Sequence, residues 1–179
     1  DSHFHSLSGG IKVLSSAKIK VGKHGYYFSD FSLTTGHVGK LNLDYSVEAE
    51  EHAVVELTSR VFGHANDVIN MTEKVSLKGR FSHSVIKSRV ALEGEAKAVI
   101  TGITEGCAEG ARGHMDCLEI IKDKAEGQSI PVVKVTHPLA KITHEAAIGT
   151  IDNKQLETLI VHGLSPEQAT DLIVLGILR

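Results

Sequence analysis

Between residues 41 and 50 the chain alternates without a break, with Leu41, Leu43, Tyr45, Val47 and Ala49 on one side and Asn42, Asp44, Ser46, Glu48 and Glu50 on the other. A period of two is that of an extended strand with one buried face; a helix would scatter those five apolar residues around its circumference. Shorter runs of the same kind predict strands over 17–21, 26–33, 54–61, 74–78, 85–92, 96–103, 117–121, 131–135 and 141–146. Most are bounded by Gly, Asn, Asp or Ser, which favour turns. The first ten residues are polar and read as a loose lead-in.

Many short strands suggest a sandwich, a barrel or a strand solenoid. The hairpin dipeptides Asn-Gly and Asp-Gly are missing, which weighs against an antiparallel meander. Residues 80–94 and 95–110 look like successive units, each alternating and closed by glycine, which favours the solenoid. After Gly149 the period changes. Asp152 is placed to cap a helix with Gln155 completing a capping box, Leu156, Leu159 and Ile160 form its apolar stripe, and Gly163 ends it. A second helix is predicted from Ser165, with Pro166 in its first turn, Gln168 three residues after the cap, and apolar positions Ala169, Leu172, Ile173, Leu175 and Ile177. The expected organisation is a β core over 1–149 and a helical segment over 150–179, either capping the solenoid or docking a partner.

Composition narrows the function. Aromatics are 4% of residues, Trp is absent, and hydrophobic residues reach 41%, so the core is built from Val, Ile, Leu and Ala. With a net charge of -3 and no dense Lys/Arg run, neither nucleic acid nor an anionic membrane is an expected partner. No apolar run is long enough to span a bilayer and no signal-peptide pattern is visible, which predicts a cytoplasmic location. Cys107 and Cys117 fit neither a zinc finger nor a CxxC pair, and reduced thiols are expected there. No GxxxxGK[ST] loop occurs, so ATP hydrolysis is assigned to a partner and the chain itself is not expected to be an enzyme.

An ordered set of segments carries a resemblance. Val85-Ile86-Lys87-Ser88-Arg89-Val90, Gly113-His114-Met115-Asp116-Cys117, Ile130-Pro131-Val132-Val133, residues 140–149 with Thr143-His144-Glu145-Ala146 at their centre, Ile151-Asp152-Asn153-Lys154-Gln155-Leu156 and Leu164-Ser165-Pro166-Glu167-Gln168-Ala169 follow one another. Together they resemble the C-terminal core of the SufB/SufD family, the scaffold proteins of the SUF iron-sulfur cluster assembly machinery, over at least residues 80 to 179. The resemblance implies a right-handed parallel β-helix followed by a helical hairpin. It also implies a SufC-like ATPase bound at the helical end, for which Leu172 and Ile173 are the chosen contacts. A second SufB/SufD-type chain, giving a homodimer or heterodimer, is expected against part of residues 113–149. The family is considerably longer than this chain, which therefore reads as a fragment or a shortened member.

By the same resemblance the cargo is a transient iron-sulfur cluster, with Cys117, His144 and Glu145 as candidate ligands. Clusters are held chiefly by thiolates, so a chain with two cysteines implies a shared or labile site. Glu145 falls on the family's cluster glutamate and His144 on the histidine beside it. The family cysteine falls on Asp116, one residue before Cys117. A shift of one turns a strand side chain to the other face, so either a bulge restores Cys117 or the ligand set differs. Read from their own surroundings, His144 is a hydrogen-bonded histidine on an apolar face and Glu145 a solvated acid on the opposite one. Cys117 is then a small buried hydrophobe. Cys107, between Glu105 and Glu109, reads as structural, and His114 with Cys117 makes only an isolated metal clip. Two rivals remain: a SufD-like structural subunit without its own cluster, and a carbohydrate-active β-helix. The latter needs clustered carboxylates, and the acidic run Glu48, Glu50 and Glu51 reads instead as a solvated strand end.

Overall fold

The computed structural model describes residues 12–178, so the polar lead-in lies outside the described residues. Ten strands come first: β1 (Lys12–Val21), β2 (Tyr26–Leu33), β3 (Lys40–Ala49), β4 (Val54–Gly63), β5 (Val68–Leu77), β6 (His83–Leu92), β7 (Lys97–Gly106), β8 (Arg112–Ile121), β9 (Glu126–Val135) and β10 (Lys141–Gly149). Two helices follow, α1 (Asn153–Val161) and α2 (Pro166–Ile177). Odd strands form one five-stranded sheet in the order β1-β3-β5-β7-β9, and even strands the other, β10-β8-β6-β4-β2. All the pairings are parallel. The chain is a parallel β-solenoid in which each turn contributes one strand to each sheet.

Lys12 lies beside Lys40, Lys40 beside Val68, Val68 beside Lys97 and Lys97 beside Glu126, so one turn takes 28 or 29 residues. The units over 80–94 and 95–110 are therefore half-turns, each a strand with its corner. Every predicted strand forms, but several begin earlier than predicted. In β5, β8 and β9 the inward positions include Glu73, Gly113, Gly127 and Ser129, and polar or side-chain-free residues facing inward hide the alternation that would reveal a strand.

The corners repeat with the turns. His24, His52, Phe81 and Gly110 all have positive φ, at 57°, 57°, 55° and 66°, as do Gly36, Ala65, Gly94 and Asp123 at the other end of the strands. A left-handed residue reverses the chain without a hairpin, and stacking turns superimpose these residues. His24 and His52 stack with ring centroids 5.0 Å apart, and His52 and Phe81 at 5.3 Å. The next residue in this column is Gly110, where a Cβ would lie 2.4 Å from the Phe81 ring. Asp67, fully buried, holds a further corner by accepting from the backbone N–H of Gly39 at 2.6 Å and of His64 at 3.0 Å.

Inside, apolar residues form two clusters. Leu41, Leu43, Ile69, Met71, Val90 and Ile100 belong to one, and Val47, Val55, Leu57, Val75, Ile86 and Met115 to the other. Buried polar groups sit between them along the strands: Ser59, Glu73, Ser88, Cys117 and Glu119.

In α2 the Ser165 capping box with Gln168 forms in full, with Pro166 in the first turn. In α1 the Asp152 side chain accepts from Lys154 N–H at 2.8 Å, so the cap is present while its predicted reciprocal bond with Gln155 is not. Gly163 follows α1 with φ of 98°. The hairpin does not close the solenoid. Val174 and Leu178 pack with Ala91 and partly buried Phe62 and Ile151, the first two contributing about 1.5–3 kcal/mol each by burial. β10 has no buried residue, and the end of the solenoid at β9 and β10 stays open.

Candidate functional site

Parallel neighbours in register point to the same face, so β8 assigns the faces of β10. Met115, Cys117 and Glu119 are buried inside the solenoid. Their partners on β10 are His144, Ala146 and Ile148, and Glu145 lies beside Asp116 on the outer face. Cys117 and His144 thus share the inward face as diagonal neighbours, with His144 exposed at the open turn. Glu145 is on the other side of the sheet. The predicted trio is not brought together within one chain, and among the described residues no group of three or more His, Cys, Asp and Glu side chains is placed to hold a metal ion.

The ladders on both sides of β8 run unbroken through residues 112–120. No bulge re-aims Cys117 to the outer face, so of the two alternatives the one that restores this thiol to the site falls away and a different ligand set is left. The position at which the family cysteine falls is occupied by Asp116, held by Arg89. Arg89 donates to Asp116 Oδ1 at 3.0 Å, to Oδ2 at 2.5 Å and to the Asp116 carbonyl at 3.0 Å. Hydrogen bonding from Arg89 keeps the Asp116 carboxyl below its usual range, and the fork also offsets the repulsion from Glu145 on the next strand.

Inside the solenoid the chemistry differs. Burial, reinforced by Glu73 and Glu119, pushes the Cys117 thiol up to about 11, so near neutrality it is protonated and a poor metal ligand or nucleophile. Burial raises Glu73 to about 7, against the opposing hydrogen bond from Ser59 at 3.2 Å. Ser59 also pairs with Ser88 at 2.9 Å. Glu119 is 1% exposed with neither oxygen in a hydrogen bond; burial raises its pKa, and the Ser129 hydroxyl, outside hydrogen-bond geometry, opposes the shift. Glu119 is marked as a same-face neighbour of Cys117 by its place two residues along the same strand, whereas nothing in the sequence pattern marks Glu73, which comes from the other sheet.

Cys107 is partly buried and Cys117 buried; both are free thiols and no disulfide joins them. His114 lies on the outer face, its Nδ1 2.9 Å from Thr143 Oγ1, on the opposite side of the strand from Cys117, so the two do not form a clip. Glu48 and Glu50 are tied to Lys78 and Lys20 at the strand ends, the solvated rim expected of them. In the helical hairpin, Leu172 and Ile173 line an open groove of about 420 Å³ with Leu159, Thr158, Gln155 and Lys154. Leu172 is 49% exposed and Leu175 equally so. No helix among the described residues is long and apolar enough to cross a membrane.

Two five-stranded parallel sheets followed by a helical pair define a parallel β-solenoid protein of about five turns. Residues 3–177 match the family described as SUF system FeS cluster assembly, SufBD core domain, and the chain belongs to that family. It is 40% identical over 176 residues to an iron-sulfur cluster assembly SufBD family protein of Methanocaldococcus jannaschii, covering 98% of this chain and 56% of the relative. A protein of the same description from Pyrococcus horikoshii is 36% identical over 178 residues, covering 99% and 54%. The SufB protein of Bacillus subtilis is 29% identical over 108 residues, 59% of this chain and 23% of its own length. The chain thus spans about half the length of the first two.

Proposed function

We propose that this chain is a scaffold subunit of an iron-sulfur cluster assembly complex, working with a SufC-type ATPase and a second SufB/SufD-type chain. The observation that carries this reading is the open final turn. β9 and β10 end their sheets, most of their residues are exposed, and the helices pack elsewhere. Unpaired parallel edges invite strand addition, and a second chain there would bring its own side chains to Glu145 and His144. A cluster, treated as cargo, would then draw ligands from two chains. Carboxylate and imidazole are harder ligands than thiolate and suit a cluster that must be handed on.

The ATPase is assigned to the groove between α1 and α2. Leu172→Asp with Ile173→Asp is expected to abolish co-purification with a SufC-type ATPase while circular dichroism stays native, because both side chains line the groove and neither is in the core. Retained binding by a folded variant removes the groove from the interface.

The enclosed Cys117 supports a second reading, a SufD-like structural subunit with no cluster of its own. Anaerobic reconstitution with iron and sulfide separates the two. The scaffold role predicts visible charge-transfer absorption that falls with Glu145→Ala or His144→Ala and is unchanged by Cys107→Ser. Absence of iron uptake by a chain that still binds the ATPase assigns the structural role.

A further inference from the structure

The outer face of the even-numbered sheet carries, near the start of its strands, a small array of donors that the cluster site does not use. His83, Arg112 and Lys141 stand side by side in register on β6, β8 and β10, and Val85, His114 and Thr143 form the next row. The six residues line a groove of about 360 Å³. Neighbouring strands are about 4.8 Å apart, so like charges in register repel. Elsewhere the arginines of this sheet are ion-paired: Arg60 holds Asp30 and Arg89 holds Asp116, and at the corner Arg80 holds Glu109. Arg112, the remaining arginine among the described residues, has no carboxylate partner there, and neither does Lys141 beside it. Both are exposed. The His114–Thr143 hydrogen bond, at 2.9 Å, fixes the second row.

We infer that this groove is a binding site for a phosphate-class oxyanion carrying more than one negative charge. Arg112 presents a planar fork of N–H donors and Lys141 a point charge one strand away, a pairing suited to adjacent phosphoryl oxygens. His83 can donate a ring N–H to the remaining oxygens, and so can His114 through Nε2 when its Nδ1 accepts from the Thr143 hydroxyl. An anion here would relieve the repulsion that the strand register builds in. Lys141 and Thr143 belong to β10, the edge strand assigned above to the second chain, but their side chains project from the outer face and not along the hydrogen-bonding edge, so anion binding by the single chain does not rest on that reading.

Calorimetric titration of the chain with inorganic pyrophosphate tests it. Wild type is expected to bind one pyrophosphate, and Arg112→Gln with Lys141→Gln to weaken binding by roughly tenfold or more, the scale of two charge-assisted contacts. Lys12 and Lys40 form another exposed cation pair in register, on the other sheet, so Lys12→Gln with Lys40→Gln removes the same charge elsewhere and is expected to change affinity by less than about twofold. Native circular dichroism of both variants secures the comparison. Equal binding of pyrophosphate and ADP identifies the phosphoryl groups alone as the ligand, and tighter binding of ADP, lost in the groove variant, identifies a nucleotide as their source. No binding of either probe by wild type at millimolar concentration overturns the site, as does equal loss in the two double variants.

Discussion

Gly79→Ala is expected to destabilise the solenoid by roughly 3 kcal/mol or more, lowering the melting temperature by about 10 °C in a chain of this size. Gly79 opens the corner between β5 and β6, where its N–H donates to the Ala49 carbonyl at 3.0 Å. A Cβ at this position would lie 2.0 Å from both the Glu50 carbonyl carbon and the Glu51 nitrogen of the turn beneath. Those are backbone atoms, and a shift in either disturbs the stacking of one turn on the next. Side chains cannot rotate the clash away. Gly176→Ala is the matched control: a Cβ there would meet nothing within 4 Å beyond its chain neighbours and the helix's own backbone, and on α2 the change is expected to stabilise by up to about 1 kcal/mol. Thermal melts of the two variants give shifts of opposite sign. An unchanged melt for Gly79→Ala would show that the turns are not packed as tightly as described.

The second large effect is a pH dependence set by Glu73. Its carboxyl is held inside the solenoid at about 7 by burial, against 4.5 for an ordinary glutamate. Because the folded value is the higher, its contribution to stability is complete below about pH 4.5 and is lost as the pH rises through 7. The full difference corresponds to about 3 kcal/mol. Glu73→Gln removes this titration, so the stability of wild type relative to the variant should fall between pH 5 and about pH 8. Acids tied to cations, such as Asp116, shift the other way and are common to both proteins, so they cancel in the comparison. Urea unfolding at intervals across that range gives two curves whose slopes differ. Parallel curves would mean that Glu73 is not a buried acid.

Some of this was legible residue by residue. The alternation from Leu41 to Ala49 is a property of a single strand, and burying one side of it needs no knowledge of what lies opposite. Helix α2 was equally readable, since Ser165, Pro166 and Gln168 act on backbone groups within one turn. The same locality explains the opposite faces of His144 and Glu145, which follow from adjacency in any strand. The ordered segments from Val85 to Ala169 carried the family, because each is a short local stretch that can be read without knowing what packs against it.

What only the tertiary structure decided depends on register between strands 28 or 29 residues apart. Whether Cys117 faced in or out turned on an unbroken ladder with Ser88 and Ala146. Glu73 became an acid with a raised pKa when the two sheets closed over it, a shift from burial that the hydrogen bond from Ser59 of the other sheet only partly opposes. Arg89 and Asp116, and likewise Arg112 and Lys141, acquired meaning as neighbours across strands, where one pair cancels charge and the other accumulates it. The physical reason is common to all of these. Periodicity within a strand determines which side a residue takes, whereas the corners and their left-handed residues determine which other strand's residue it meets.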